Sequence, residues 1–161
     1  MLFITDIYGE YHTKEDRDRI ERLITERNKV VGYDYILSEE IGSNVALTKQ
    51  EMEKGINNRT WGISPRTYKL GIKLGIPVIG IDDWEESIYK KTLAEQFLLR
   101  EKRMVDVIDE YSRLGNCAVI VGDTHLRSID TKELGKSSKL HLEFSNHPGF
   151  TIYRSPLSEI K

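Results

Sequence analysis

The sequence predicts an α/β protein: a mostly parallel sheet of about four or five strands flanked by helices, with an antiparallel hairpin near the C-terminus. Short apolar runs rich in β-branched residues alternate with longer segments whose apolar residues recur every three or four positions. One of these runs, Cys117–Gly122, is apolar throughout, as expected of a strand buried on both faces of a parallel sheet. With 161 residues the chain suits one domain, and we expect residues 1–161 to form it.

The first strand is predicted at Leu2–Tyr8, an almost wholly apolar run that ends before Gly9. A helix is predicted to follow from Thr13 to Asn28, because its apolar residues have helical spacing. Thr13 and Asp16 stand three residues apart, as in a capping box, and this pair marks the helix start.

The middle of the chain repeats this alternation. Further strands are predicted at Tyr33–Ser38 and Ile76–Ile81, each bounded by glycine or turn residues. Helices are predicted over residues 64–75, where a serine cap precedes a proline, and over residues 85–114, where neither proline nor glycine interrupts the pattern. Within residues 43–63, Leu47–Lys54 suits a short helix and Gly55–Gly62 is polar and irregular, and we interpret this part of the chain as a flap over the site.

The C-terminal part predicts the hairpin. A short helix is expected to end at Leu134–Gly135, after which Lys139–Phe144 alternates between polar and apolar residues and suits an edge strand. A turn over residues 145–149 then leads to a last antiparallel strand at Phe150–Arg154.

Composition and charge exclude several classes of protein. The net charge is -2 and both signs are mixed along the chain, so the basic stripe that nucleic acids require is missing. No apolar run is long enough to span a membrane, and the first residues do not resemble a signal peptide. Cys117 is the single cysteine and cannot form an internal disulfide. We therefore expect a cytoplasmic protein that binds neither nucleic acid nor membrane.

The carboxyl ends of the predicted parallel strands should meet at one edge of the sheet, where open α/β sheets bind their ligands. The titratable residues that follow the four strands are Glu10, His12, Glu40, Asp82, Asp83, Asp123 and His125. Two histidines and several carboxylates at one edge can bind a divalent metal ion or share acid and base roles in hydrolysis. Polar loops after strands are common in α/β proteins, so the convergence of these residues is more informative than any one of them.

Two members of this set depend on a choice between alternatives. Glu39 and Glu40 are adjacent in a strand and point to opposite sides, so only one of them can face the cleft, and we choose Glu40. Arg100 lies in the long predicted helix, where an arginine usually covers the surface of the core. It can also turn inward to a carboxylate.

Residues 9–12 (Gly-Glu-Tyr-His) and 122–125 (Gly-Asp-Thr-His) are a pair of G-x-x-H motifs, each placed after a strand. The pair resembles the TraB/PrgY, Tiki, ChaN-like and erythromycin-esterase-like superfamily. Glu40 followed by an apolar residue and glycine, and Arg100 followed four residues later by Met104, are similar to two further motifs of that family. The resemblance covers roughly residues 3 to 126, and the order of its short motifs makes it specific.

The resemblance implies a compact α/β hydrolase whose cleft holds five residues: Glu10, His12, Glu40, Arg100 and His125. Members of the family act as metal-dependent peptidases or as esterases, so a peptide or a small molecule is the expected substrate. In our hypothesis, His12, Glu40 and His125 bind a divalent metal ion or the attacking water, and Glu10 is the general base. Arg100 stabilises developing negative charge or orients Glu40.

Three other interpretations remain open. One is a scaffold or regulatory protein that acts through its surface, with the Asn57–Trp61 loop and Trp84 as its contacts. The segments Phe3–Gly9 and Val119–His125 are also similar to the first and last motifs of calcineurin-like metallophosphoesterases, although Tyr8 and Asp123 stand where two ligand histidines belong. A non-catalytic protein could instead use the same cleft to bind a metabolite or nucleotide, with Arg100 pairing with an anion.

Overall fold

The computed structural model of the protein describes residues 2–42, 46–47, 50, 65–82 and 90–156. The strands in these ranges are β1 (Thr5–Glu10), β2 (Tyr35–Gly42), β3 (Ala46–Leu47), β4 (Val78–Asp82), β5 (Cys117–Gly122) and β6 (Phe150–Tyr153). The helices are α1 (Lys14–Val31), α2 (Pro65–Leu74), α3 (Leu93–Ser112) and α4 (Lys139–Phe144), and a 3-10 turn at Asp123–Leu126 follows β5.

The strands form one sheet in the order β3-β4-β2-β5-β1-β6. Its five longer strands are parallel, and only the two-residue β3 runs antiparallel to its neighbour β4. The predicted fold class, a mostly parallel α/β sheet flanked by helices, is therefore confirmed. The flap predicted over residues 43–63 lies outside the described residues, apart from β3 and the isolated residue 50.

The predicted C-terminal hairpin is wrong. Lys139–Phe144 forms helix α4, whose first turn is capped by the Ser138 hydroxyl, and Leu140 and Phe144 are buried one helical turn apart while Leu142 is exposed. In a six-residue segment, apolar residues at alternate positions fit both the two-residue period of a strand and the 3.6-residue period of a helix. Burial of the (i, i+4) pair favours the helix. Because α4 crosses the sheet, β6 returns parallel to β1.

One predicted helix near the site is replaced by a turn, and the start of another helix differs from the prediction. A turn closed by two backbone hydrogen bonds between Thr131 and Gly135 replaces the short helix expected there. Helix α3 begins at Leu93, where the Thr92 hydroxyl accepts a hydrogen bond from the Glu95 N–H, and residues 83–89 lie outside the described part of the chain. The start of α1 is as predicted, since the Thr13 hydroxyl accepts from the Asp16 N–H.

Helices cover both faces of the sheet. On one face, α1 and α2 bury Ile20, Ile24 and Tyr68 against the sheet. On the other face, α3 and α4 bury Met104 and Leu140. None of the described helices is both long enough and apolar enough to cross a membrane.

This layout places a crevice at the carboxyl ends of the strands. The chain leaves β1 toward α1 on one face and leaves the adjacent strand β5 toward α4 on the other. Neighbouring strands whose following segments diverge to opposite faces leave an opening between them, which is where open α/β sheets bind ligands.

Candidate active site

The two G-x-x-H motifs leave the sheet side by side. In the parallel pairing of β1 with β5, Gly9 stands opposite Val121 and Glu10 opposite Gly122. Both motifs therefore begin at the same level of the carboxyl edge. The sequence prediction that these segments meet at one edge of the sheet agrees with this register.

Glu39, in the C-terminal half of β2, contacts the second motif. Its Oε1 accepts a hydrogen bond from the Gly122 N–H, and its Oε2 lies 3.0 Å from Nε2 of His125. Glu39 is buried, with 7% of its surface exposed. The side chain of Glu40, the residue chosen from the sequence, lies outside the described part of the structure, so its place in the site stays a prediction.

Gly122 has a steric role in this arrangement. A Cβ at this position would lie 2.9 Å from Oε1 of Glu39 and 3.6 Å from Nε2 of His12. The absence of a side chain lets the Glu39 carboxylate reach the backbone N–H. His12 of the first motif lies at ordinary contact distance from the same position.

His125 is held between two carboxylates. Its Nε2 faces Glu39, its Nδ1 lies 2.9 Å from Oε2 of Glu101, and Phe97 stacks on the ring with centroids 4.8 Å apart. Burial alone would lower the pKa of His125, but the hydrogen bonds and negative charges of Glu101 and Glu39 outweigh it and raise the pKa to about 9. His125 is therefore an imidazolium ion at neutral pH.

Glu101 is itself held by Arg127. The guanidinium Nη1 lies 2.6 Å from Oε2 of Glu101 and Nη2 lies 3.2 Å from Oε1, while its other N–H groups donate to the carbonyls of Lys136 and Thr124. Glu101 and Arg127 are both buried. A fully bonded pair thus fixes the carboxylate that orients His125.

Arg100 turns inward, which is the less usual of the two orientations considered for it. It makes a bidentate contact with Asp82 at the end of β4, with Nε 3.0 Å from Oδ1 and Nη2 2.6 Å from Oδ2. Its Nη2 also lies 3.5 Å from Oε2 of Glu39. Burial would raise the pKa of Glu39, but His125, the Gly122 N–H and Arg100 together lower it, so Glu39 is ionised.

Glu10 and His12 form a second carboxylate–histidine pair at the carboxyl end of β1. Oε1 of Glu10 lies 3.2 Å from Nδ1 of His12 and 3.4 Å from Nε of Arg17. The hydrogen bond to Glu10 raises the pKa of His12, partial burial opposes it, and the charge of Glu39 raises it further. The His12 side chain is 58% exposed, so solvent and ligands can reach it.

Asp123 belongs to a structural contact. It accepts two hydrogen bonds from Arg154 and one from the Ser155 N–H, and its carboxylate packs against Gly9, where a Cβ would overlap it. The Asp123 carboxylate of the second motif thus occupies the space that a side chain on Gly9 of the first motif would need. Among the other predicted carboxylates, Asp82 pairs with Arg100, and Asp83 lies outside the described residues.

The described side chains do not fit a metal ion bound by both histidines. No group of three or more His, Cys, Asp and Glu residues in the described ranges is arranged to hold a metal. Both ring nitrogens of His125 face carboxylates, whereas a metal ligand needs one nitrogen with a free lone pair. Glu40, the third predicted ligand, is outside the described side chains, so the metal stays a prediction from the resemblance.

Sequence analysis missed four residues of this cluster: Glu39, Phe97, Glu101 and Arg127. Glu39 was considered and passed over, because strand alternation does not say which of two adjacent residues faces the cleft. Phe97 precedes Arg100 by three residues and Glu101 follows it directly, and Arg127 stands two residues after His125. These short spacings to predicted site residues are the signal that was available.

Neither the protein-family models nor the curated proteins include a match to this sequence. Two solved structures described as bacterial protein toxins align with 85% and 84% of this chain, at 13% and 14% identity and with TM-scores of 0.54 and 0.52. This chain spans about a third of their length, 31% in each case. RRSP, a MARTX toxin effector domain from Vibrio vulnificus CMCP6, aligns with 94% of this chain and 35% of its own, at 16% identity and a TM-score of 0.49. At 13% and 14% identity, the likeness to the first two structures is one of fold.

Proposed function

We propose that the protein is a hydrolase of the type found in the TraB/PrgY, Tiki, ChaN-like and erythromycin-esterase-like superfamily, acting on an ester or peptide bond. One observation carries the proposal: the buried carboxylate of Glu39 bonds the backbone of Gly122 and the ring of His125, and Nε2 of His12 lies near the same glycine. The histidines of both G-x-x-H motifs are thereby associated with one carboxylate at the carboxyl edge of the sheet.

His12 is the group best placed to act as general base. Glu10 accepts from Nδ1 of His12, which leaves Nε2 as the nitrogen with the lone pair, and this nitrogen faces the spot where Glu39 reaches Gly122. A water molecule bonded to Glu39 can give its proton to Nε2 of His12 as its oxygen attacks a carbonyl carbon. The same proton then passes from His12 to the leaving oxygen or nitrogen when the tetrahedral intermediate collapses.

This assignment changes the role of Glu10 in our hypothesis. Glu10 is buried and engages His12 and Arg17, so it orients the base and does not itself take the proton of water. His125 is charged and donates to two carboxylates, so it cannot be a base at neutral pH. With Arg100, it keeps Glu39 ionised and fixed in orientation.

Turnover of p-nitrophenyl esters and fluorogenic peptides by the purified chain tests the proposal. We expect His12→Gln and Glu39→Gln to lower kcat/KM by about a hundredfold or more, the usual contribution of a positioned acid or base. His147→Gln is the matched control, because His147 is exposed and outside the site: among described residues its ring hydrogen-bonds the adjacent Pro148 carbonyl and packs on Phe150. Folded His12→Gln and Glu39→Gln variants that retain wild-type turnover would refute the proposal.

Two further arms of the experiment separate the remaining alternatives. Turnover is measured after treatment with EDTA and again after adding Zn²⁺, Mn²⁺ or Mg²⁺, since the resemblance predicts a divalent ion at this site. A thermal-shift screen of metabolites and nucleotides accompanies it. A compound that raises the Tm of the wild-type protein, but not of His12→Gln or Glu39→Gln, and that is never consumed would favour the non-catalytic binding protein. A cytoplasmic location stays a prediction from the sequence.

A further inference from the structure

A groove of about 550 Å³ opens between α3, the 134–137 segment and α4, and one of its walls is formed by Glu101 and Arg127. Glu101 is the carboxylate that bonds Nδ1 of His125, so the groove adjoins the candidate active site through a single side chain. The groove is separate from the crevice where His12 lies. Its size is within the range of pockets that bind small molecules.

Apolar side chains form most of the groove surface. Ala94 and Leu98 of α3 face Leu134 and Leu142 across it. Leu98 is 49% exposed and Leu142 is 63% exposed, although both belong to helices with a buried face available. Removing the exposed surface of these leucines from water is favourable, so an apolar ligand that fills the groove is stabilised there.

The charges of the groove favour an anionic group on that ligand. Lys136 and Lys139 lie on the wall opposite α3, and neither ammonium group pairs with a carboxylate among the described residues. Glu95 is the acidic residue on the α3 wall. Arg127 is not available to a ligand, because Glu101 and two backbone carbonyls already accept from its N–H groups.

We infer that this groove binds an amphipathic anion, a free medium-chain carboxylate, with its alkyl chain against Leu98 and Leu142 and its carboxylate at Lys136 and Lys139. The inference does not depend on the proposed hydrolase, because the groove and the crevice use different residues apart from the Glu101 and Arg127 wall. The bound chain covers the wall formed by Glu101 and Arg127, and Glu101 bonds Nδ1 of His125. Occupancy of the groove should therefore change the ¹⁵N signals of the His125 ring.

Calorimetric titration with octanoate, decanoate and dodecanoate, each below its micelle concentration, tests the site. Each methylene added should lower Kd about fourfold until the groove is filled, which corresponds to about 0.8 kcal/mol per buried CH₂. Decanol should bind more weakly than decanoate, since it lacks the charge that the lysines meet. The ¹⁵N signals of the His125 ring should shift on addition of decanoate.

Each variant in the groove is compared with a control variant at an exposed position outside the groove. Leu142→Asp should abolish decanoate binding, whereas Ile129→Asp, at a position 68% exposed and outside the groove, should leave it unchanged. Lys136→Glu should weaken binding tenfold or more, and Lys132→Glu, exposed and also outside the groove, should not.

Three results would overturn the inference. The first is affinity that does not depend on chain length, and the second is equal loss of binding in Leu142→Asp and Ile129→Asp. The third is a wild-type protein that ignores carboxylates but self-associates in sedimentation while Leu142→Asp stays monomeric. That outcome would make the groove an interface between two copies of the chain.

Discussion

Nε2 of His125 lies 3.0 Å from Oε2 of Glu39, and this contact joins the 3-10 turn after β5 to strand β2. The other ring nitrogen lies 2.9 Å from Glu101 of α3. A buried ring between two carboxylates is most stable with both nitrogens protonated. The cluster therefore links two strands and a helix at the carboxyl edge through one charged imidazole.

The charge on His125 makes stability depend on pH. The pKa of His125 is about 9 in the folded protein and about 6.5 in the unfolded chain, so folding favours the protonated ring. This contribution, on the order of 3 kcal/mol at most, is complete below pH 6.5 and is lost as pH rises to about 9. The free energy of unfolding, measured by urea denaturation, should fall across that range.

Variants assign this pH dependence to the ring. Glu101→Gln removes one of the two carboxylates, and His125→Gln removes the titrating group, so both should flatten the profile between pH 6.5 and 9. If His125→Gln does not fold, Glu101→Gln still reports the effect. Profiles of wild type and Glu101→Gln that run parallel over this range would contradict the assignment.

Gly9 allows the two G-x-x-H segments to pack together. A Cβ on Gly9 would overlap the Asp123 carboxylate and lie 3.0 Å from Cδ1 of Leu126. Asp123 cannot move away easily, because Arg154 and the Ser155 N–H hold it. Gly9→Ala should therefore lower the free energy of unfolding by about 1–3 kcal/mol, the usual cost of overpacking.

A double-mutant cycle isolates that contact. In an Asp123→Ala background the carboxylate is absent, so the additional cost of Gly9→Ala should fall to about 1 kcal/mol or less. Denaturant unfolding of the four proteins provides the measurement. An equal cost of Gly9→Ala in both backgrounds would show that its effect comes from elsewhere in the segment.

The Arg100–Asp82 contact requires the planar guanidinium. Asp82 is fully buried, and Arg100 meets both of its carboxylate oxygens. Lysine keeps the charge but cannot form the bidentate contact, so Arg100→Lys should destabilise the fold by about 2 kcal/mol or more. Arg113→Lys is the control, because the Arg113–Asp109 pair is exposed and its loss should cost under about 0.5 kcal/mol. Equal losses of stability in the two variants would refute this prediction.

The sequence predicted the α/β class and the edge at which the site lies, because these follow from strand alternation and from the parallel connections. Cys117–Gly122 and the Thr13 cap were found where predicted, since an apolar run and a capping pair are local signals. The segment after Leu126 was misassigned. Six residues with alternate apolar positions satisfy both periods, and contacts with α3 and the sheet decide between them.

The site could be predicted only in part, for a similar reason. Glu10, His12, Arg100 and His125 follow from their places after strands or in a motif, and the structure puts all four in contact with carboxylates or, for Glu10, with cations. Glu101 and Arg127 are charged residues on a helix and in a loop, where most charges are solvated. Only the packing of α3 against the 3-10 turn shows that they are buried partners of His125.

A pH titration of the ¹⁵N-labelled ring of His125 by NMR tests the central claim, that His125 lies charged between Glu39 and Glu101. We expect the ring to be protonated on both nitrogens at pH 7.5 and to titrate near pH 9, with a lower pKa in Glu101→Gln. A ring that titrates near the ordinary histidine value of about 6.5 would contradict it.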